Sequence, residues 1–250
     1  MCCFSRPVEF VNATRIFARA ENAHRQFVVY AMTMSAKEDL AMILPLPVRA
    51  GSGENAVRFI SLEGYPTFFA DMESGFPKEA PRAFGPVGCA THAPPKAAAL
   101  PVFQVGSFEA SFVPTIADFA RLDERFRLPA GTWEKLPAYR HYGFAVFKLK
   151  SGAKTVHPMA FSFPRANIGS LFLPTVHIHD GQVHERAGFD HILYCQAGEG
   201  EVSRLSDWRE SPQHAQQFVK TAQAQGLVLP NRHCHRKAMR GQLENQDVWV

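Results

Sequence analysis

The chain has 250 residues, 46% hydrophobic and 20% charged, with no block of like charge; such a chain buries a core and reads as globular rather than disordered. Its net charge is +4 with no lysine-arginine stripe, which excludes an extended nucleic-acid footprint. No run of about 18 apolar residues is present, which excludes a membrane-crossing helix.

In chain order, residues 6–19 alternate apolar and polar well enough for one or two strands, and Gln26 to Met34 reads as a strand. Ser35 to Glu38 makes a loop, Asp39 to Leu46 returns as an apolar strand, and Val57 to Leu62 is a short one. Tyr65 to Met72 suits a short helix with Pro66 in its first turn. Residues 75–100 are rich in proline and without periodicity, so they read as a long loop. Strands follow at Pro101 to Val113, Tyr142 to Leu149, His157 to Phe163, Leu171 to His179 and Phe189 to Cys195. Thr115 and Asp118 resemble a capping box that opens a helix to about Arg125. Ser211-Pro212 starts a helix that stops at Gly226, and residues 239–250 end in a strand. With 21 phenylalanines, a residue enriched in strands, the reading is a β-rich α+β fold of mostly antiparallel sheets with peripheral helices.

The run Phe27 to Tyr30, a loop, then Ala41 to Pro45 is echoed by Phe144 to Phe147, a loop, then Ala160 to Pro164. Both read as hairpins. The echo divides the chain into an N-terminal β-rich half, 1–95, and an α+β half, 96–250, which together form either two domains or one compact domain.

Four of the eleven histidines lie in Val176-His177-Ile178-His179-Asp180-Gly181-Gln182-Val183-His184 and in Asp190-His191. Asp-Gly between alternating residues is a two-residue hairpin signal. A tight turn there sets His184 opposite His177 and puts His177, His179 and His184 on one face, with opposed Cβ atoms about 5 Å apart. Three imidazoles with an open fourth position suit zinc, and a thiolate such as Cys195 favours copper. His191 and Cys195 share a face of the next strand and are candidates to complete the shell. The competing reading is a polar surface hairpin with incidental histidines.

Cys2-Cys3 is the second candidate. After removal of Met1, Cys2 carries a thiol and an α-amine that serves as its base, the logic of N-terminal nucleophile hydrolases; the alternatives are a soft metal ligand and a small buried hydrophobe. Arg232-His233-Cys234-His235-Arg236-Lys237 reads as a solvated basic turn, and Cys89 and His92 as loop residues. No phosphate loop, dinucleotide fingerprint, His-Glu-x-x-His or Gly-x-Ser-x-Gly occurs. Residues 1–6 show no basic-then-apolar secretory signal, and five cysteines are an odd count; reduced thiols in the cytoplasm are expected.

At Cys2-Cys3 and at Glu38-Asp39-Leu40-Ala41-Met42-Ile43-Leu44-Pro45-Leu46-Pro47 the chain resembles an uncharacterised bacterial domain family with N-terminal cysteines and an E-D-x-A-hydrophobic-Pro-x-Pro segment. The resemblance covers roughly the first third and implies no activity. The leading expectation from the residues is a copper- or zinc-binding protein, a metalloenzyme if the ion activates water or dioxygen. A Cys2 hydrolase or amidase acting on a small molecule or peptide is the alternative, and a non-catalytic binding module the third.

Overall fold

The computed structural model describes residues 2–76, 103–105, 108–152, 154–155, 157–178, 182–198 and 204–250. In chain order the elements are β1 (Cys2–Phe4), β2 (Phe10–Asn22), β3 (Arg25–Ser35), β4 (Leu40–Leu46), β5 (Arg58–Ser61), α1 (Phe68–Ser74), β6 (Phe103–Val105), β7 (Phe108–Val113), β8 (Gly143–Leu149), β9 (Lys154–Thr155), β10 (Met159–Pro164), β11 (Phe172–Leu173), β12 (His177–Ile178), β13 (Arg186–Gln196), β14 (Arg209–Glu210), β15 (His235–Glu244) and β16 (Val248–Trp249). Sheet A has the order β12-β1-β4-β8-β7-β6, and sheet B the order β14-β15-β13-β2-β3-β10-β5, with β9 beside β3. β11 and β16 form a small ribbon. Only β1–β12 and β13–β2 pair in parallel; the other described pairs are antiparallel. The β-rich α+β expectation is therefore met. No helix among the described residues is long and apolar enough to cross a membrane.

Strand periodicity explains the layers. Along β3, Val28, Tyr30, Met32 and Met34 enter the main core, while Phe27, Val29 and Ala31 enter a second cluster on the other face. β2, β10 and β13 split in the same way: Ile16 and Ala18 against Phe17, Met159 and Phe161 against Ala160, Leu193 and Cys195 against Tyr194. Sheet B is thus apolar on both faces over part of its area. Its inner face meets sheet A, and its outer face is covered by α1 and by residues 215–228. β4 is buried along its whole length, as expected of a strand with both faces covered. Each large side chain sealed in these layers stabilises the fold by about 1.5–3 kcal/mol.

The echoed segments are not hairpins. β3 lies in sheet B and β4 in sheet A, while β8 lies in sheet A and β10 in sheet B. Each segment crosses between sheets, and the two arches then pair with each other, β3 with β10 and β4 with β8. Both sheets interleave strands from either side of residue 95, so a cut there would divide each sheet.

Four further expectations need correction. The described part of the strand expected over 171–179 is two short strands, β11 and β12, separated where Pro174 offers no N–H to a ladder. The helix opened by Thr115 is a 3-10 helix, Ile116–Arg121, and the Thr115 hydroxyl bonds the Asp118 carboxylate at 2.8 Å instead of a backbone N–H. The helix after Pro212 shrinks to one 3-10 turn, Ala215–Gln217, followed by turns. A continuous helix would direct the Lys220 N–H to Gln216 O. Tyr65 Oη accepts it instead, at 2.9 Å, so a tertiary contact overrides local propensity. α1 itself starts after Thr67, which leaves Pro66 outside the helix.

Candidate functional site

β1 is a wedge of three residues. Its Cys2 and Cys3 are the Cα partners of His177 and Ile178 in β12, and on its other side Cys3 and Phe4 pair with Ile43 and Met42 of β4. The two motifs singled out in the sequence, Cys2-Cys3 and the histidine run, therefore meet at one backbone register. His177 is buried, and its Nε2 lies 3.1 Å from Nε2 of His191, which is also buried. The ring centroids are 4.5 Å apart, and the Phe189 ring packs edge-on against His177 at 4.4 Å. One imidazole donates and the other accepts across this contact. A second proton would set N–H against N–H in a site with little water.

The turn after β15 holds this segment. The His177 N–H donates to Asn245 Oδ1 at 2.7 Å, and Asn245 Nδ2 donates to the carbonyls of His177 and His184, both at 2.9 Å. Asp247 accepts the N–H groups of Thr175 and Val176 and the Tyr139 hydroxyl at 2.8, 3.1 and 2.6 Å. Burial first, and then the Asp247 charge, raises the Tyr139 pKa, and the same causes push Tyr142 up to about 12. Both phenols therefore stay protonated. Sequence reading missed Asn245 and Asp247; the polar string Glu244 to Asp247, between β15 and β16, was the available signal.

The expected pairing of His177 with His184 is not found among the described residues. His177 pairs with β1, not with a returning strand, and Gln182, Val183 and His184 are irregular, with His184 exposed. His179, Asp180 and Gly181 lie outside the described residues. Cys195 shares the inner face of β13 with His191 but lies four residues away, about 13 Å along a strand, in the core beside Leu193. Among the described residues, no three His, Cys, Asp or Glu side chains gather as a metal-ligand group.

A second polar assembly is built on α1. Asp71 accepts from the Tyr65 hydroxyl at 2.8 Å and from Thr67 at 3.2 Å, and it pairs with Lys220 at 2.9 Å. Burial works to raise its pKa, but the bonds from Lys220 and Tyr65 outweigh it and hold the carboxylate below its usual range. Glu73 accepts from the Tyr194 hydroxyl and from Arg236 Nε, the latter at 3.0 Å. At Gly75 a Cβ would lie 2.6 Å from the Phe218 ring, so the helix ends under an aromatic lid that only glycine fits. Glu73 thus fixes α1 to the sheet, and Asp71 ties it to Lys220 of the covering segment, just before residues 77–102, where the proline-rich loop reading falls and which lie outside the described residues.

Comparison with protein-family models and with curated proteins gives no match. Among solved structures the fold is similar to baculovirus P35. The chain in the crystal structure of the caspase-8/P35 complex matches with a TM-score of 0.50 at 10% identity, over 95% of each chain. Baculovirus P35 in a separate crystal structure matches with a TM-score of 0.49 at 12% identity, over 97% of this chain and 96% of that one. At such identity the likeness defines a fold class.

Proposed function

We propose that this chain binds and blocks an endoprotease. The observation that supports the reading is the likeness to P35 in its complex with caspase-8, which spans 95% of both chains; it is an analogy of fold and is tested as such. The anchoring of α1 through Asp71 and Glu73 is consistent with it, because a rigid root next to a long segment suits a chain offered to a protease. Between Asp71 and Asp118 the sequence has no aspartate. An aspartate-directed protease such as a caspase finds no cleavage site in 77–102, so the target is expected to accept another residue.

The test is titration of recombinant caspase-8, legumain, papain and trypsin with the purified protein, followed by intact mass of the chain. Stoichiometric loss of activity of one enzyme, with at most one cut and that cut within 77–102, supports the reading. Full activity of all four at a tenfold molar excess, or degradation to small fragments, overturns it.

A copper or zinc site is the second reading. It is favoured by one observation, the 3.1 Å approach of Nε2 of His177 and His191, a spacing that two ligands of one ion also adopt when each bond is about 2.0–2.1 Å. Titration with Zn²⁺ or Cu²⁺ decides it: binding below one micromolar that is lost in His177→Ala supports it, and no binding sinks it.

A further inference from the structure

The outer face of sheet B is covered over only part of its area, and the register shows where the cover stops. Tyr194 is in line with Phe17 on one side and with Arg236, then Arg209, on the other. This row lies under α1, with Phe17 against Phe68 at 5.8 Å and Tyr194 against Phe69 at 5.9 Å. The next row, two residues along, is Arg15, Ile192 and Ala238, and the one after pairs Asp190 with Arg240. Cross-strand partners share a face. These two rows are open: Ala238, Asp190 and Arg240 are exposed, and Arg15 and Ile192 half-buried.

Three observations single out this patch. Its charge is unbalanced. Glu73 is committed to Arg236 and Tyr194, and Asp190 accepts the Ala13 N–H at 3.1 Å, whereas neither Arg15 nor Arg240 has a hydrogen bond or ion pair among the described residues. Arg15 Nε is buried with no hydrogen-bond partner, an arrangement that ordinarily carries a cost. Finally, β2 is bulged here. Ala13 has φ +50°, and the register slips between Asn12 and Arg15. Without the extra residue Thr14 would occupy the outward position and Arg15 would turn into the core. A bulge that re-aims one side chain is typical of a binding or catalytic surface.

We propose that this patch is a docking site for an acidic peptide segment of a partner protein, with carboxylates on Arg15 and Arg240 and an apolar side chain on Ile192. Arginine beside an apolar seat is the composition of an interface centre. Nucleic acid fits less well. The patch offers only a few cations, interrupted by Asp190, where duplex binders make 6–10 phosphate contacts, and it has no exposed aromatic ring on which a base could stack. The site stands independently of the protease reading.

The test uses fluorescence anisotropy with a fluorescein-labelled octapeptide alternating glutamate and valine. Its controls are the lysine-valine counterpart and a labelled thymidine octanucleotide. The acidic peptide is expected to bind alone, at least tenfold more weakly at 300 mM than at 50 mM NaCl, and at least tenfold more weakly in the Arg15→Gln/Arg240→Gln protein. Arg240 is exposed and unbonded, so R240E folds and by itself should lose threefold or more. K135E, which changes the net charge equally on the sheet A side, should lose nothing. Equal binding to wild type and R240E, equal loss in K135E, or preference for the oligonucleotide overturns the proposal.

Discussion

Two histidine-rich stretches, 177–191 and 232–235, show the same alternation and end in opposite places from those their sequences suggest. The first reads as a metal hairpin. Among its described residues it has one buried pair, His177 with His191, and an exposed outlier, His184. The second reads as a solvated basic turn, yet it buries His235 and Cys234 on entering β15. There His233 Nδ1 lies 2.7 Å from Ser211 O and its ring packs on His214 at 4.5 Å. Alternation decides which side chains share a face, whereas the strand that lies alongside decides whether that face is wet. β12 finds β1, and β15 finds β13.

The largest expected effect belongs to the first stretch. His191→Ala removes a buried ring and leaves Nε2 of His177 without its 3.1 Å partner; a loss of about 2–4 kcal/mol is expected in urea unfolding, and a loss below about 1 would show that the pair does not tie the sheets together. Asn245→Ala removes the side chain that accepts the His177 N–H and donates to the His177 and His184 carbonyls, with a cost of about 1–3 kcal/mol by the same assay.

In the second stretch the expected effect is a pH dependence. Burial lowers the His235 pKa; Glu210 opposes this and His233 adds to it. Because the folded value lies below the unfolded 6.5, the unfolded chain takes up the proton first. This contribution to stability is intact above pH 6.5 and declines as pH falls below it, by at most about 1.4 kcal/mol per pH unit for one proton. His235→Gln should flatten that part of the stability–pH curve, and an unchanged curve would remove His235 as the cause. The smallest effect is His184→Ala, within about 0.5 kcal/mol in the same unfolding assay, because the side chain is exposed.

Much of the strand content was legible. The reading of 26–34 anticipates β3, that of 142–149 anticipates β8, and that of 39–46 anticipates β4, because apolar runs of this length between turn residues have few alternatives. Partner choice was not legible. Nothing local states that Phe27 to Tyr30 will pair with Met159 to Ser162, or that residue 177 will lie beside residue 2. The failed helix after Pro212 shows the same limit, since its break depends on a tyrosine hydroxyl 155 positions away in sequence. Of the site, both motifs were found and their meeting was not. Asn245 and Asp247, which hold it together, have no periodic pattern to betray them.

The wedge formed by β1 has a consequence for the order of assembly. Residues 2–4 emerge from the ribosome long before one of their two neighbours, at 177–178. Until that segment is made, the edge of β4 that β1 will share, or the outer edge of β1 itself, has no partner, and an apolar edge left open invites pairing with other chains. Such distant closure is also slow. Nascent chains stalled before residue 177 should therefore depend on chaperones more than those stalled beyond residue 250, and the N-terminal strand should be among the last parts to become protected from hydrogen exchange.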